Sequence, residues 1–212
     1  MKLKEKILLK AVALFNERGI ANVSPNQIAT ALKISPGNLT YHYKTKAILM
    51  QTIYERMHQE TLDYLDFDGY ITLDDFRQSM LKFQEFQQKY SFFLDDMIFI
   101  TRNYPKVAKM YEAANLKRLQ QGRKLFDYFI ATDRLLPETN GVNYDFLVLN
   151  VWMVGAFWTT QDKILTVPSP MTKPANMVEM TWHLLLPYLT EKGREEYFQI
   201  SEFFKLEKRG EE

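Results

Sequence analysis

Apolar residues recur at helical spacing along nearly the whole chain. Leu3, Ile7, Ala11, Leu14 and Phe15 share one helical face, and Gly19 stands where a helix C-terminal cap is expected. Ser24 before Pro25 reads as an N-cap with proline at the first helical position, and Ile28, Ala29 and Leu32 supply the buried stripe. Ser35-Pro36 repeats that start signal, so a second short helix runs from about Pro36 to Tyr43. Thr45 offers another N-cap, opening a connecting helix expected from Lys46 to Leu65 with Leu49, Ile53, Met57 and Tyr64 on one face. Helical patterning resumes at Thr72 to Lys89, Ser91 to about Arg102, Pro105 to about Thr132, Tyr144 to Leu165, Ala175 to Leu189 and Glu191 to Lys205. Pro137 to Gly141 reads as a loop and Pro168 to Pro174 as a proline-rich connection. With no strand alternation and no internal repeat, the expected fold is all-α: a three-helix N-terminal head over residues 1–46 and a larger helical bundle over 47–212.

Composition narrows the function classes. The 212 residues are 46% hydrophobic and 14% aromatic, enough for a sizeable core. No window approaches the ~20 consecutive apolar residues of a membrane span, and the first fifteen residues mix charge with apolar positions, unlike a signal peptide, so a soluble cytoplasmic protein is expected. The absence of cysteine excludes disulfides, thiolate zinc sites and cysteine nucleophiles. Net charge is +1, but it is unevenly spread: through Lys46 there are eight Lys/Arg against two acids, and nineteen against twenty-four afterwards. A basic module ahead of an acidic one points to a polyanion partner for the head.

Two short helices joined by a tight turn, with a packing helix before them, form the arrangement that lays a recognition helix in the major groove. Ser35, Pro36, Gly37 and Asn38 are compact and allow close approach to a duplex. Asn38 and Thr40 offer hydrogen bonds, and Tyr41, His42, Lys44, Thr45 and Lys46 offer donors for flanking phosphates. Lys44 and Lys46 also fall at the start of the next helix, whose dipole favours an anion. Tyr43 is expected to pack inward.

The stretch from Val23 to Ala29 and on through Ile34 to Lys46 closely resembles the DNA-binding signature of TetR-type transcriptional regulators, over roughly residues 5–53. The resemblance implies a homodimer that binds a palindromic double-stranded operator and is released by a small molecule. It places Asn26, Pro36, Gly37, Asn38, Thr40, Tyr41 and His42 where the family contacts bases or phosphates, and Lys46 on its recurrent phosphate-binding lysine. Ser24 and Lys44 complete the candidate set. Two positions depart from the pattern: Thr40 replaces a usual aromatic, and Lys33 replaces the usual turn glycine, where a left-handed backbone costs about 1 kcal/mol.

The longer region offers only physical clues. The helix from Tyr144 has one apolar face with Phe146, Leu149, Met153 and Phe157 and a second with Leu147, Val151, Val154 and Trp158. The helix from Ala175 has a face with Val178, Trp182, Leu185 and Leu189. Proteins with this head dimerise through their last long helices, and the expected twofold interface is the second face of each helix, with Gly155-Ala156 allowing close approach. Phe86, Met97, Tyr111, Phe126 and Trp152 are candidates to line a pocket for a small hydrophobic or aromatic effector.

Competing signals are weaker. Tyr64 to Asp75 resembles an EF-hand loop at Asp66, Asp68, Gly69, Ile71 and Asp75, but Tyr64 replaces the first ligand and Asp75 the bidentate Glu. It reads instead as a turn with Thr72 capping the next helix. His58 with Glu55, His183 with Glu179, and Asp95-Asp96 lack the third ligand, phosphate loop or nucleophile of an enzyme site, so neither catalysis, a metal nor a cofactor is expected. A helical protein-binding scaffold that has lost operator binding is the alternative.

Overall fold

The computed structural model describes residues 1–67, 69–139, 141–164 and 176–210, with side chains to residue 201. Among these the chain forms eleven α-helices: α1 Leu3–Arg18, α2 Pro25–Ala31, α3 Pro36–His42, α4 Lys46–Glu60, α5 Leu73–Lys89, α6 Ser91–Asp95, α7 Met97–Asn103, α8 Pro105–Ala131, α9 Tyr144–Ile164, α10 Met177–Leu185 and α11 Glu191–Gly210. A 3-10 turn, Leu186–Tyr188, follows α10, and the only β pairing among the described residues is an isolated bridge between Leu135 and Leu189. The all-α expectation holds.

Differences from the periodicity have local causes. α4 stops at Glu60 because Thr61 turns its hydroxyl back onto the carbonyls of Met57 (3.3 Å) and His58 (3.1 Å). The helix expected over Ser91–Arg102 breaks at Asp96, whose backbone (φ −104°, ψ 17°) leaves the α region. α10 tightens into the 3-10 turn at Pro187, which has no N–H to continue it. At the Asp/Gly turn, Thr72 Oγ1 accepts from the Asp75 amide (3.0 Å) and Asp75 Oδ2 accepts from the Thr72 amide (2.8 Å), which is the capping role read from the sequence. Asp68 and the proline-rich connection lie outside the described residues.

The chain divides into two compact units: Met1–Leu62 with Phe86–Asn115, and Asp63–Glu85 with Leu116–Glu212. The first unit therefore extends beyond residue 46 to take in α4, α6, α7 and the beginning of α8. Its core joins Ile7, Ala11 and Phe15 of α1 to Ile28, Leu39, Leu49 and Ile53, and continues into Tyr90, Phe92 and Phe93. Phe15 lies 5.3 Å from Phe92 between ring centroids, and Tyr54 lies 5.3 Å from Phe93.

The second unit is centred on Phe76, edge-on to Phe126, Phe129 and Trp182 at 6.4, 6.3 and 5.9 Å. Leu147, Val178, Trp182, Leu185 and Leu189 are buried in this core, and Val151, Val154 and Trp158, partly buried, pack against it, so the eight residues expected at a twofold interface all contribute to the chain's own core. The Gly155 notch is likewise filled from within, since a Cβ there would lie 3.6 Å from Phe83 and 3.9 Å from Met177. The opposite face is the exposed one: Phe146 is 66% exposed, Leu149 40%, Met153 46% and Phe157 38%. A helical wheel finds two apolar faces but carries no information on which of them meets the rest of the chain.

Candidate nucleic-acid interface

The recognition segment is built by three side-chain caps in succession. Ser24 Oγ accepts from the Gln27 amide (3.3 Å) while Gln27 Oε1 accepts from the Ser24 amide (2.7 Å), Ser35 Oγ accepts from the Asn38 amide (3.2 Å), and Thr45 Oγ1 accepts from the Ile48 amide (3.1 Å). Between α2 and α3 the amide of Lys33 donates to Thr30 (3.0 Å) and that of Ile34 to Ala29 (3.0 Å), and Lys33 takes the left-handed conformation, φ 57°. Lys33→Gly is therefore expected to raise stability by about 1 kcal/mol in urea unfolding. An unchanged midpoint would show that the turn bears no such strain.

Buried Ile28, Ala29 and Leu39 hold α2 and α3 together, leaving the opposite side of α3 in solvent. Ser24, Asn26, Pro36, Gly37, Asn38, Thr40, Tyr41 and Lys44 are all exposed, and His42 and Lys46 are half-buried. Tyr41 is 82% exposed and meets His42 edge-on at 5.2 Å. Thr40 Oγ1 donates to its own helix at the Pro36 carbonyl (2.9 Å). Tyr43 is 2% exposed, and burial, with Glu5 adding to it, pushes its phenol up to about 12.

Lys46 stands apart. Its ammonium donates to the Ile20 carbonyl and sits 5.7 Å from the centre of the Phe15 ring. Burial lowers its pKa, with Asp96 acting in the opposite sense. Asp96 Oδ2 in turn accepts from the Ile20 amide (2.8 Å). The turn after α1 is thus gripped on both backbone groups of one residue, and Gly19 (φ 76°) leaves room for the carboxylate, which a Cβ would approach to 3.3 Å.

Further side chains fix this head within the first unit, and none was legible beforehand. Asn16 Nδ2 donates to the Lys89 carbonyl (2.9 Å), while its Oδ1 accepts from the Phe92 amide (3.0 Å). Arg56 bridges Glu5 and Glu60, and Glu60 also receives Lys89 (2.7 Å) and the Tyr90 hydroxyl (2.9 Å). Burial opposes ionisation of Glu60, yet these donors hold its carboxyl below the ordinary value. Partners some seventy residues apart, as Asn16 and Asp96 are from theirs, leave no periodic trace.

The effector candidates are divided between the two units. Phe86, Met97 and Tyr111 belong to the first unit, where the Tyr111 hydroxyl donates to Met97 Sδ (3.3 Å). Phe126 and Trp152 belong to the second. Phe126 is 2% exposed and is a core residue. A cleft of about 280 Å³ in the second unit is lined by Gly141, Val142, Asn143, Phe146, Leu147, Asn150 and Tyr188, none of which the aromatic pattern had pointed to. Among the described residues no group of three His, Asp or Glu is placed to hold a metal, and no helix is long and apolar enough to cross a membrane.

The sequence model for bacterial regulatory proteins of the tetR family matches residues 7–53, and a second TetR model, described as a bacterial transcriptional repressor, matches residues 50–197. The chain belongs to the TetR family. A TetR-family transcriptional regulator from Marinobacter aquaeolei VT8 superposes with a TM-score of 0.86 at 28% identity, covering 96% of this chain and 99% of the other. SmeT, the repressor of the multidrug efflux pump SmeDEF of Stenotrophomonas maltophilia, shares the fold at a TM-score of 0.64 and 18% identity, over 90% of this chain and 92% of its own. A SmeT–triclosan complex gives 0.62 and 17%, over 89% and 92%. In this TetR-family transcriptional regulator, α2 and α3 are the helix-turn-helix, and its exposed side carries Asn26, Asn38, Thr40 and Tyr41.

Proposed function

We propose that the chain is a repressor that binds a palindromic operator as a homodimer and is released by a small hydrophobic effector. The observation that carries this reading is the capped recognition helix α3, which turns Gly37, Asn38, Thr40 and Tyr41 to solvent while Leu39 anchors it from behind. Ser24, Asn26, Pro36, His42 and Lys44 border the same segment and complete the DNA-facing set, in a stretch with an excess of basic residues. Lys46 serves it differently from an exposed lysine: with its ammonium on the Ile20 carbonyl, it positions the turn ahead of α2. Residues 1–46 supply the DNA contacts, and residues 47–212 supply dimerisation and effector binding. Operator binding assigns the protein to the cytoplasm, and regulation by occupancy requires no enzymatic step.

Dimerisation uses the exposed face of α9, Phe146, Leu149, Met153 and Phe157, in place of the buried one. Two heads spaced by about 34 Å would read successive major-groove turns, which a single short helix cannot do. The effector class rests on the aromatic interior of each unit and on the triclosan complex of SmeT.

Selection of random duplex DNA on the purified protein tests the reading. A palindrome is expected to be enriched, and Asn38→Ala combined with Lys46→Ala is expected to weaken it about 100-fold or more, since a good base contact contributes ~1–3 kcal/mol in each half-site. No enrichment even at low salt would favour a protein-binding scaffold.

A further inference from the structure

A second element flanks the recognition helix. Tyr43, the residue that closes α3, donates its hydroxyl to the Lys4 carbonyl (3.4 Å), and the Lys4 ammonium stands 5.7 Å from the centre of the Tyr43 ring. These two contacts seat the first turn of α1 beside the junction between α3 and Lys44. Lys4 and Lys44 are both exposed. The adjacent carboxylate, Glu5, is turned to Arg56, and among the described residues no ion pair includes Lys4. No side chain caps the start of α1, so the positive end of its dipole adds to the same local field.

Lys6 is also exposed, but helical geometry turns it about 200° from Lys4, while Lys2 precedes the helix in extended backbone. Of the two helical lysines, Lys4 is the one on the Tyr43 side. A cation held against the end of a recognition helix, with no carboxylate paired to it, is placed for the sugar-phosphate backbone beside the groove.

We infer that Lys4 is a further phosphate-binding residue, so that the DNA-facing surface runs from α3 onto the first turn of α1. This rests on the operator-binding reading above. The contact is independent of base sequence and adds affinity without changing which operator is chosen.

Operator affinity measured against salt concentration separates the possibilities. Lys4→Gln is expected to reduce the slope of log K against log salt by about 0.9 per protomer, or about 1.8 for a dimer. The loss should be equal on operator and on mismatched duplexes. Lys4→Arg should keep the slope, and Lys6→Gln, with the same charge change on the other side of α1, should leave it as in the wild type. Lys4→Met, which keeps an aliphatic stem over Tyr43, repeats the test should the glutamine variant fold poorly by circular dichroism. A wild-type slope in folded Lys4→Gln and Lys4→Met, or an equal loss in Lys6→Gln, overturns the inference and leaves operator binding intact. A wild type that binds no duplex at any salt overturns both.

Discussion

Glu196→Ala is expected to destabilise the protein by about 3–5 kcal/mol, because it strips the partner from a buried cation. The Arg134 side chain is 1% exposed, its Nε donates to Glu196 Oε2 at 2.6 Å, and its Nη2 meets the Tyr70 hydroxyl. The second oxygen of Glu196 accepts from the Leu73 amide (2.7 Å), so one carboxylate serves both the guanidinium and the first turn of α5. Alanine leaves a desolvated charge and an unpaired amide together. In a chain of this length the change corresponds to a fall in melting temperature on the order of 10 °C, read at fixed protein concentration because the stability of the proposed dimer would depend on it.

Arg134 Nη1 has no hydrogen-bond partner among the described residues, so the pair is not fully compensated even when intact. Arg134→Met with Glu196→Leu is accordingly expected to be milder than Glu196→Ala alone, since it removes the charge with its partner. The neighbouring Gly193 shows how closely this region is built: a Cβ there would fall 2.2 Å from the Arg134 carbonyl oxygen. A loss below about 1 kcal/mol for Glu196→Ala would mean the pair behaves as a solvated surface bridge.

What the sequence disclosed about this molecule was local chemistry. Ser24, Ser35 and Thr45 each announce a helix start through a side chain that bonds an amide three residues on, and all three do so in the structure. Lys33 was legible for a similar reason, as a non-glycine residue in a turn that needs positive φ. The ten candidate DNA contacts can be named because they fall within one short stretch, Ser24 to Lys46, yet their individual settings cannot. Thr40 back-bonds to Pro36 within its own helix, and Lys46 turns inward to the Ile20 carbonyl, which lies ahead of the motif.

Long-range partnerships were closed to sequence reasoning. In the sequence Asp95-Asp96 is only a pair of acids, whereas in the fold Asp96 ends α6 and holds the Ile20 amide. The two faces of α9 are nearly equal in hydrophobicity, so periodicity could not rank them, and the choice was decided by Phe76, Phe83 and Met177 approaching from distant segments. The effector candidates are divided between the two units for the same reason: aromatic content marks a residue as suited to an interior without saying which interior.

Converting the exposed face of α9 to charge, by Met153→Glu with Phe157→Glu, is expected to give a folded monomer whose operator affinity is about 10²–10⁴-fold weaker, the advantage that simultaneous engagement of two half-sites confers. Both side chains are solvent-exposed within the single chain, at 46% and 38%, so glutamate there leaves the internal core untouched. Across an isologous contact the same glutamates would be brought near their own copies and desolvated, a cost paid by the dimer alone. Light scattering at micromolar concentration reads the oligomeric state, circular dichroism the fold, and operator titration the coupling between them. A variant that remains dimeric with full affinity would show that the apolar row of Phe146, Leu149, Met153 and Phe157 is not the twofold interface. A variant that is monomeric yet binds as tightly as the wild type would show that one head suffices, and the palindrome would then have no structural basis.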